Sequence, residues 1–596
     1  LYAYSNSAEE LLDITPFKVA RSGTLNSAIT TTTGSKIVSI YDSAHGLVSG
    51  DYVTLYKDED YNGVTIAGTY FVDVTTPDDY SITTTGNAAT DSGTGGLSLH
   101  YSYYGIVLSD PITTTVDSST VSIAHTAHGA FLGDNVVIDA GEVGGITLLG
   151  TYKITSTSDN SYTVDSGTIA TSSTTGGGDV SLEYEINIGA VDSGFMAGYS
   201  LGAYSAGGYS EASVSSTYVI APRIWCLDNY GQQLLANPIG GTIYVWDPST
   251  VSSSNGRAYP LYGAPTGVQA MFVTPERFVF ALGNTGSYLE VKWPVQTNYT
   301  DWMSLPTNTA NARTLQIGSY LVGGIPVRDG TSLVLTNNCC YAFNYNGDAY
   351  IYDSTSVGKN TGLIGPLAGC SYAGDGFWMG PMEWWTWNGT VSPLPSDDIR
   401  DFVYKNITKQ QQFKCFAVPY TAKKEVTFYV PLFGSLEPNW AVTWHIDQQC
   451  WSIDPKARTS QIDGLLFPNP ISVDIDGNVW KEEFGHDADG AAIDAYVTLS
   501  PMAISEGDRK CDIMGFMPDF ERQTENCYVS VLAQTYPKGE ITTFGPYTIG
   551  DGTSNPLVDL REGATFVGYK IESNAIGGDF RVGLCQADTN PAGARR

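Results

Sequence analysis

The sequence predicts an all-β protein, and three observations predict it. Helix signals are scarce, while Thr, Ser, Val, Tyr and Gly alternate in short runs of strand length. Asn-Gly and Asp-Gly pairs, which favour two-residue hairpin turns, interrupt those runs at Asn346-Gly347, Asn388-Gly389 and Asp476-Gly477. One stretch is also written twice. Residues 38–83 and 121–165 share the order Ala-His-Gly, Gly-Asp, a glycine turn, Gly-Thr-Tyr, and an Asp ahead of a Tyr-x-hydrophobic strand. His45-Gly46 answers to His128-Gly129, Gly50-Asp51 to Gly133-Asp134, Gly68-Thr69-Tyr70 to Gly150-Thr151-Tyr152, and Tyr80 to Tyr162. Two copies are too few for a solenoid, so the repeat reads as two small β modules in tandem on a larger body.

The elements follow in order. Residues 1–24 read as an arm whose firm punctuation is Asp13-Ile14-Thr15-Pro16. Residues 25–105 and 106–188 read as the two modules, each a small barrel or sandwich of short strands closed by a Thr/Ser/Gly tail. Residues 189–217 change to Gly, Ala, Ser and Tyr, as in Phe195-Met196-Ala197-Gly198-Tyr199, Gly202-Ala203-Tyr204 and Gly207-Gly208-Tyr209. Such chain builds no core of its own but can lie along another surface with its rings as anchors, so it reads as a linker or strap. From 218 to 490 a new cadence begins, in which strands ending in an aromatic alternate with tight turns, as at Asp228-Asn229-Tyr230-Gly231, Gly240-Gly241, Asn388-Gly389 and Asp476-Gly477. Repeated tens of residues apart, that cadence predicts the blades of an irregular β-propeller, in a number the sequence does not fix. Residues 491–596 read as a C-terminal β region. Short helices are expected at Glu9-Glu10-Leu11-Leu12 and over residues 407–416.

At 596 residues the chain holds roughly three or four domains by length and has ample apolar content to bury cores. Asp and Glu number 62 against 30 Lys and Arg, a formal net charge of −32. That sign argues against tight wrapping of nucleic acid, because phosphate binding rests on Lys and Arg displacing counterions. It suits a wall past which nucleic acid slides without sticking, although acidic surfaces also serve solubility. The nine cysteines contain no C-x-x-C and neither frame a disulfide scaffold nor spell a zinc site, so they read mostly as buried thiols. No basic segment precedes an apolar run at the start and no long apolar stretch occurs, so neither a secretion signal nor a membrane span is expected.

Chemistry-bearing constellations are few. His125 and His128 lie three apart beside Gly129, but only His45 answers in the other copy, so a turn histidine bonded to backbone is expected rather than a metal ligand. Asp474, Asp476 and Asn478 resemble the start of a calcium loop, yet Gly477 falls too early in it, so a hairpin turn is expected. The acidic groups Asp58-Glu59-Asp60, Asp397-Asp398 and Glu482-Glu483 read as solvated edges, since neighbours on a strand face opposite ways. Asn298, Asn388 and Asn406 match the glycosylation pattern, which means little without a secretory signal. The expectation is therefore no enzyme, with no catalytic residue, no metal and no cofactor.

Several segments in order resemble one family: the β-propeller tail hub, or nozzle, proteins of short-tailed bacteriophages, related to packaged-DNA stabilisation proteins. The resemblance runs through Arg223-Ile224-Trp225-Cys226-Leu227-Asp228-Asn229-Tyr230-Gly231 and Arg277-Phe278-Val279-Phe280-Ala281-Leu282-Gly283. It continues in Trp293, Thr300-Asp301-Trp302, Leu333-Val334-Leu335-Thr336 and Gly376-Phe377-Trp378-Met379-Gly380, and closes in Asp579-Phe580-Arg581-Val582-Gly583 and Gly593-Ala594-Arg595-Arg596. It implies a virion tail component made in the host bacterial cytoplasm: a homohexameric ring joined to adaptor and portal proteins, with tail fibres nearby. Double-stranded DNA would pass transiently through its bore, and no membrane insertion is implied. A gate at the bore is expected, its residues unknown; the glycine turns Tyr61-Asn62-Gly63 and Val143-Gly144-Gly145 are candidates. The alternative is a carbohydrate-binding or depolymerising tail protein, for which Trp378, Trp384, Trp385 and Trp387 would form the platform unless they serve the core or subunit contacts.

Overall fold

The duplicated stretch folds twice into one sheet order. In the first copy, one sheet runs Asp73–Thr76, Asp79–Thr83, Ile37–Tyr41, Ile29–Thr31, Ser92–Gly95, and the other Arg21–Leu25, Leu99–Tyr103, Tyr52–Leu55, Gly68–Phe71. The second copy repeats both orders as a single eight-stranded sheet, because Ile146–Ser158 runs unbroken where the first copy interrupts at Val72. Arg21–Leu25 pairs with Leu99–Tyr103, so it belongs to the first module rather than to the arm. The alternation in Ile37–Tyr41 and Thr120–Ala124 puts Val38 and Ile40, or Val121 and Ile123, inward against Tyr80 or Tyr162.

This architecture comes from a computed structural model that describes residues 1–5, 10–56, 60–84, 86–95, 98–190, 194–195, 219–220, 222–248, 257–347, 351–464, 468–503, 509–550 and 557–594. The chain divides into two units, Leu1–Leu465 with Ile471–Trp480, and Leu466–Pro470 with Lys481–Arg596. Of the Gly/Tyr-rich stretch, Gly194–Phe195 pairs with Val219–Ile220; Gly202-Ala203-Tyr204 and Gly207-Gly208-Tyr209, expected to form a strap, and Arg595-Arg596 of the family resemblance lie outside the described residues.

Beyond the modules, six antiparallel sheets follow one another among the described residues, five of four strands and a last of three, beginning at Trp225, Ala270, Leu321, Gly369, Phe416 and Ser460. The first strand of each packs on the first strand of the next, the arrangement of propeller blades. Second strands such as Val279–Leu282 and Thr331–Thr336 are buried at every position, which is why they read as unbroken runs. Blades are tied by backbone as well as side chain: the Val273 N–H donates to Asp228 Oδ2 at 2.7 Å, and the Ala417 N–H to Leu367 O at 2.8 Å.

One helix expectation is corrected, and the other is narrowed to a 3-10 helix within residues 407–416. Glu10–Asp13 is a strand paired with Tyr2–Ser5, since a single helical turn leaves most of its backbone groups unbonded while a hairpin partner satisfies them. The α-helix lies at Asp397–Asn406, followed by a 3-10 helix at Lys409–Lys414. Asp397, one of the pair read as a solvated edge, opens that helix, where negative charge complements the helix dipole, and Lys405 closes it. Ile399 and Val403 bury its inner face, and the Tyr404 hydroxyl donates to Gly380 O at 2.9 Å.

The second unit holds a four-stranded sheet, Ala495–Ala503, Phe566–Ser573, Cys527–Gln534, Ile541–Ile549, and a three-stranded one, Val558–Ala564, Arg509–Met517, Gln586–Ala594. They share a core of Ile513, Phe516, Val529, Val531, Leu560 and Ile571.

Candidate functional site

The richest polar cluster sits where arm, modules and first blade meet, and one strand builds it. In Asp179–Tyr184 the alternate residues Val180, Leu182 and Tyr184 enter the core of the second module, so Ser181, Glu183 and, just beyond, Glu185 face the other way. The first module and the arm cover that outward face, leaving Glu183 6% and Glu185 3% exposed.

Reciprocal contacts cross the joint. Ser181 Oγ donates to Asp51 Oδ1 at 2.8 Å, and the Tyr52 N–H donates to Glu183 Oε1 at 3.3 Å. Burial, with the Asp51 charge behind it, pushes the Glu183 carboxyl up to about 8, and burial raises Asp51 as well. Glu183 is therefore largely protonated at neutral pH, which lets two acids share a buried joint.

Arg257 binds the arm to the same place. Its guanidinium lies 2.7 Å from Asp13 and 2.8 Å from Glu185, donates to Thr15 O at 3.1 Å, and sits 4.6 Å from the centre of the Phe17 ring. Asn135 Nδ2 donates to the second Glu185 oxygen at 2.9 Å. The arm backbone is laced in alongside: Ile186 N–H to Pro16 O at 3.0 Å, Lys18 N–H to Tyr184 O at 2.7 Å, Ala20 N–H to Tyr103 O at 2.8 Å, and Ala258 N–H to Ile14 O at 3.1 Å. The arrangement joins acceptors, a cation and packed rings from the arm, both modules and the first blade, and so latches these parts together. The sequence signal was the alternation Ser181, Glu183, Glu185; Arg257 lies in no motif and only the fold reveals it.

The repeated histidines act on backbone. Nδ1 of His45 accepts from the Leu47 N–H at 3.0 Å and Nε2 lies 3.1 Å from Thr76 O; His128 does the same with Ala130 at 3.1 Å and Ser158 O at 2.7 Å. Those contacts place the proton on Nε2 in both copies. Asp51 and Asp134 each close the next turn, accepting from Val48 N–H at 2.9 Å and Phe131 N–H at 2.8 Å. At the neighbouring tyrosine the copies differ. Tyr103 donates to Asp42 at 2.8 Å, with Arg21 beside it, whereas its counterpart Tyr184 meets His125 Nδ1 at 2.7 Å.

The other sequence candidates are placed as follows. Both glycine turns have left-handed backbone, Asn62 and Gly63 at φ 53° and 83°, Gly144 and Gly145 at 59° and 84°. Each tip is held to the tail of its own module, Asn62 O by the Ala89 N–H at 2.7 Å and Gly144 O by the Thr171 N–H at 2.8 Å, so neither is a free loop. Asp474 closes a hairpin, accepting from the N–H groups of Asp476 and Asn478 and from Trp480 Nε1, and the Asn478 and Trp480 bonds pull its carboxyl down to about 2. Trp378, Trp384 and Trp387 are buried within the fourth blade, and Trp385 is half-buried, so the four do not form an exposed platform. The cysteines are unbridged, with Cys226, Cys339, Cys340, Cys370, Cys415, Cys511 and Cys527 buried.

Among the described residues no helix is long and apolar enough to cross a membrane, and no cluster of three His, Cys, Asp or Glu is placed to hold a metal. No protein-family model matches the chain, and no curated protein matches it. Solved structures give slight likenesses. A fungal alcohol oxidase in complex with copper is 10% identical, at TM-score 0.33 over 82% of this chain and 98% of that one. An exo-β-1,3-galactanase from Phanerochaete chrysosporium is 9% identical at TM-score 0.24, over 63% and 97%, and the phage phi92 endosialidase 10% identical at 0.20, over 92% and 87%. Likeness this slight carries no inference about activity.

Proposed function

We propose that the chain is a structural subunit of the tail hub or nozzle of a short-tailed bacteriophage. Six copies would form a ring around an acidic passage that retains the packaged genome, joins adaptor or portal proteins and fibres, and conducts double-stranded DNA at ejection. The observation that carries this reading is the charge, −32 with only 30 Lys and Arg. Several of those cations are already tied to carboxylates, Arg257 to Asp13 and Glu185, Arg328 to Asp375, Arg400 to Glu383, Lys414 to Glu437 and Lys18 to Asp134. A tethered cation exchanges poorly onto phosphate, so a DNA chain meets a surface with little to release counterions. Arm, modules and first blade laced through Arg257 suit a part that transmits load rather than one that turns over substrate.

Native mass spectrometry and electron microscopy of the intact chain test the reading. A six-fold ring that shows no retention of double-stranded DNA at physiological salt is expected. A monomer at every concentration, or tight salt-sensitive DNA binding, refutes it. Release of sugar from host polysaccharide would favour the depolymerising alternative.

A further inference from the structure

We infer that copies of this chain join head to tail by strand addition, the Ala495–Ala503 edge of one copy pairing with the Ile541–Ile549 edge of the next. The inference deepens the multimeric reading above and rests on it. Both strands are the outer members of the same four-stranded sheet, and among the described residues no strand pairs with the far side of either. An open edge presents unpaired backbone donors and acceptors, and soluble proteins guard it with charged side chains, prolines or bulges. These two edges lack charge: neither nine-residue strand contains Asp, Glu, Lys, Arg or His, whereas their neighbour Phe566–Ser573 carries Lys570 and Glu572; the guards present are one proline and one bulge in the ladder of each.

Charge decides the occupant. Two copies that each carry −32 repel unless they meet where charge is missing. The two edges are such places, and they suit each other. Every pair in the sheet is antiparallel, so in a four-strand order the first and last strands run in opposite directions. Setting the sheets of successive copies side by side therefore brings the last strand of one antiparallel to the first strand of the next, continuing the same ladder. A heterologous contact of this kind closes into a ring when its rotation allows. Apolar side chains are exposed along both edges: Tyr496 is 66% exposed with Lys570 Nζ 5.0 Å from its ring centre, Met502 55% and Ile541 47%, and none belongs to the core of the unit. Pro501 and Pro546, without N–H groups, bound the ladder and leave residues 495–500 and 541–545 to form it.

The test uses the full chain and native mass spectrometry. Thr498→Lys and Thr543→Lys each place a charge on one edge, at exposed positions. Expected is a multimeric parent, a monomer from each variant, and a one-to-one dimer when the two variants are mixed, since each then offers the edge the other lacks. Thr498→Ser and Thr543→Ser keep the parent mass. Multimers that survive both lysines overturn the joint while leaving the ring reading intact. Loss with Thr498→Lys alone means that like edges pair, which also overturns it. A monomeric parent removes both. Should a lysine variant fail to fold, Thr498→Cys with Thr543→Cys in a Cys450→Ser, Cys585→Ser background, which removes the cysteines that are not buried, is treated with a bismaleimide; linked chains support the joint, and unlinked chains in a persisting multimer refute it.

Discussion

Glu183 of the second module accepts the Tyr52 N–H of the first at 3.3 Å, so a side chain that titrates near neutrality bonds the backbone across the joint between tandem copies. Its carboxyl is held up to about 8 chiefly by burial. A carboxyl raised on folding contributes stability that is complete below its unfolded pKa, near 4.3, and is lost as pH climbs through the folded value.

Glu183→Gln keeps the shape and removes that titration. The variant is expected to match the parent near pH 5 and to exceed it by about 3 kcal/mol at pH 8. Urea denaturation of both proteins across that pH range measures the difference, and parallel curves would refute the assignment.

Arg257→Met is expected to destabilise the first unit by about 3 kcal/mol, because Asp13 and the buried Glu185 lose their cation together. Arg257→Lys recovers only part, since an ammonium has no planar face to lie over the Phe17 ring. Thermal denaturation of the three chains reads the order.

Gly129 and Gly144 share left-handed backbone, at φ 61° and 59°, but not surroundings. A Cβ at Gly129 meets nothing within 4 Å, while at Gly144 it comes 2.4 Å from Thr114 Oγ1 and 2.7 Å from Ser172 O. Gly129→Ala should cost about 1 kcal/mol, the backbone effect alone, and Gly144→Ala about 3 kcal/mol. Equal losses in chemical denaturation would mean the tail does not pack on that turn.

Trp384 has no exposed surface and lies 5.0 Å from the Tyr404 ring and 4.9 Å from Trp451. Trp384→Ala is expected to lower stability by about 4 kcal/mol through the cavity it leaves. Host polysaccharide should leave the fluorescence of this ring unchanged, which a titration against the variant checks.

Local chemistry written into the chain was legible without a fold. Repetition of His-Gly, Gly-Asp and Gly-Thr-Tyr marked two equivalent modules, because turns and two-residue alternation are set by neighbours in sequence. The Asp474 turn and the hairpins at Gly231 and Gly389 were readable for the same reason. The helix at Asp397–Asn406 was missed because its acidic opening also fits a solvated strand edge, and only packing of Ile399 and Val403 against the blades decides between them. Tertiary structure alone brought Asp13, Asp51, Glu183, Glu185 and Arg257 together, from four separate stretches of chain. Long-range electrostatics has no period in sequence: a carboxylate announces its charge, but burial and the partner across the joint determine whether it is ionised, and both belong to the fold.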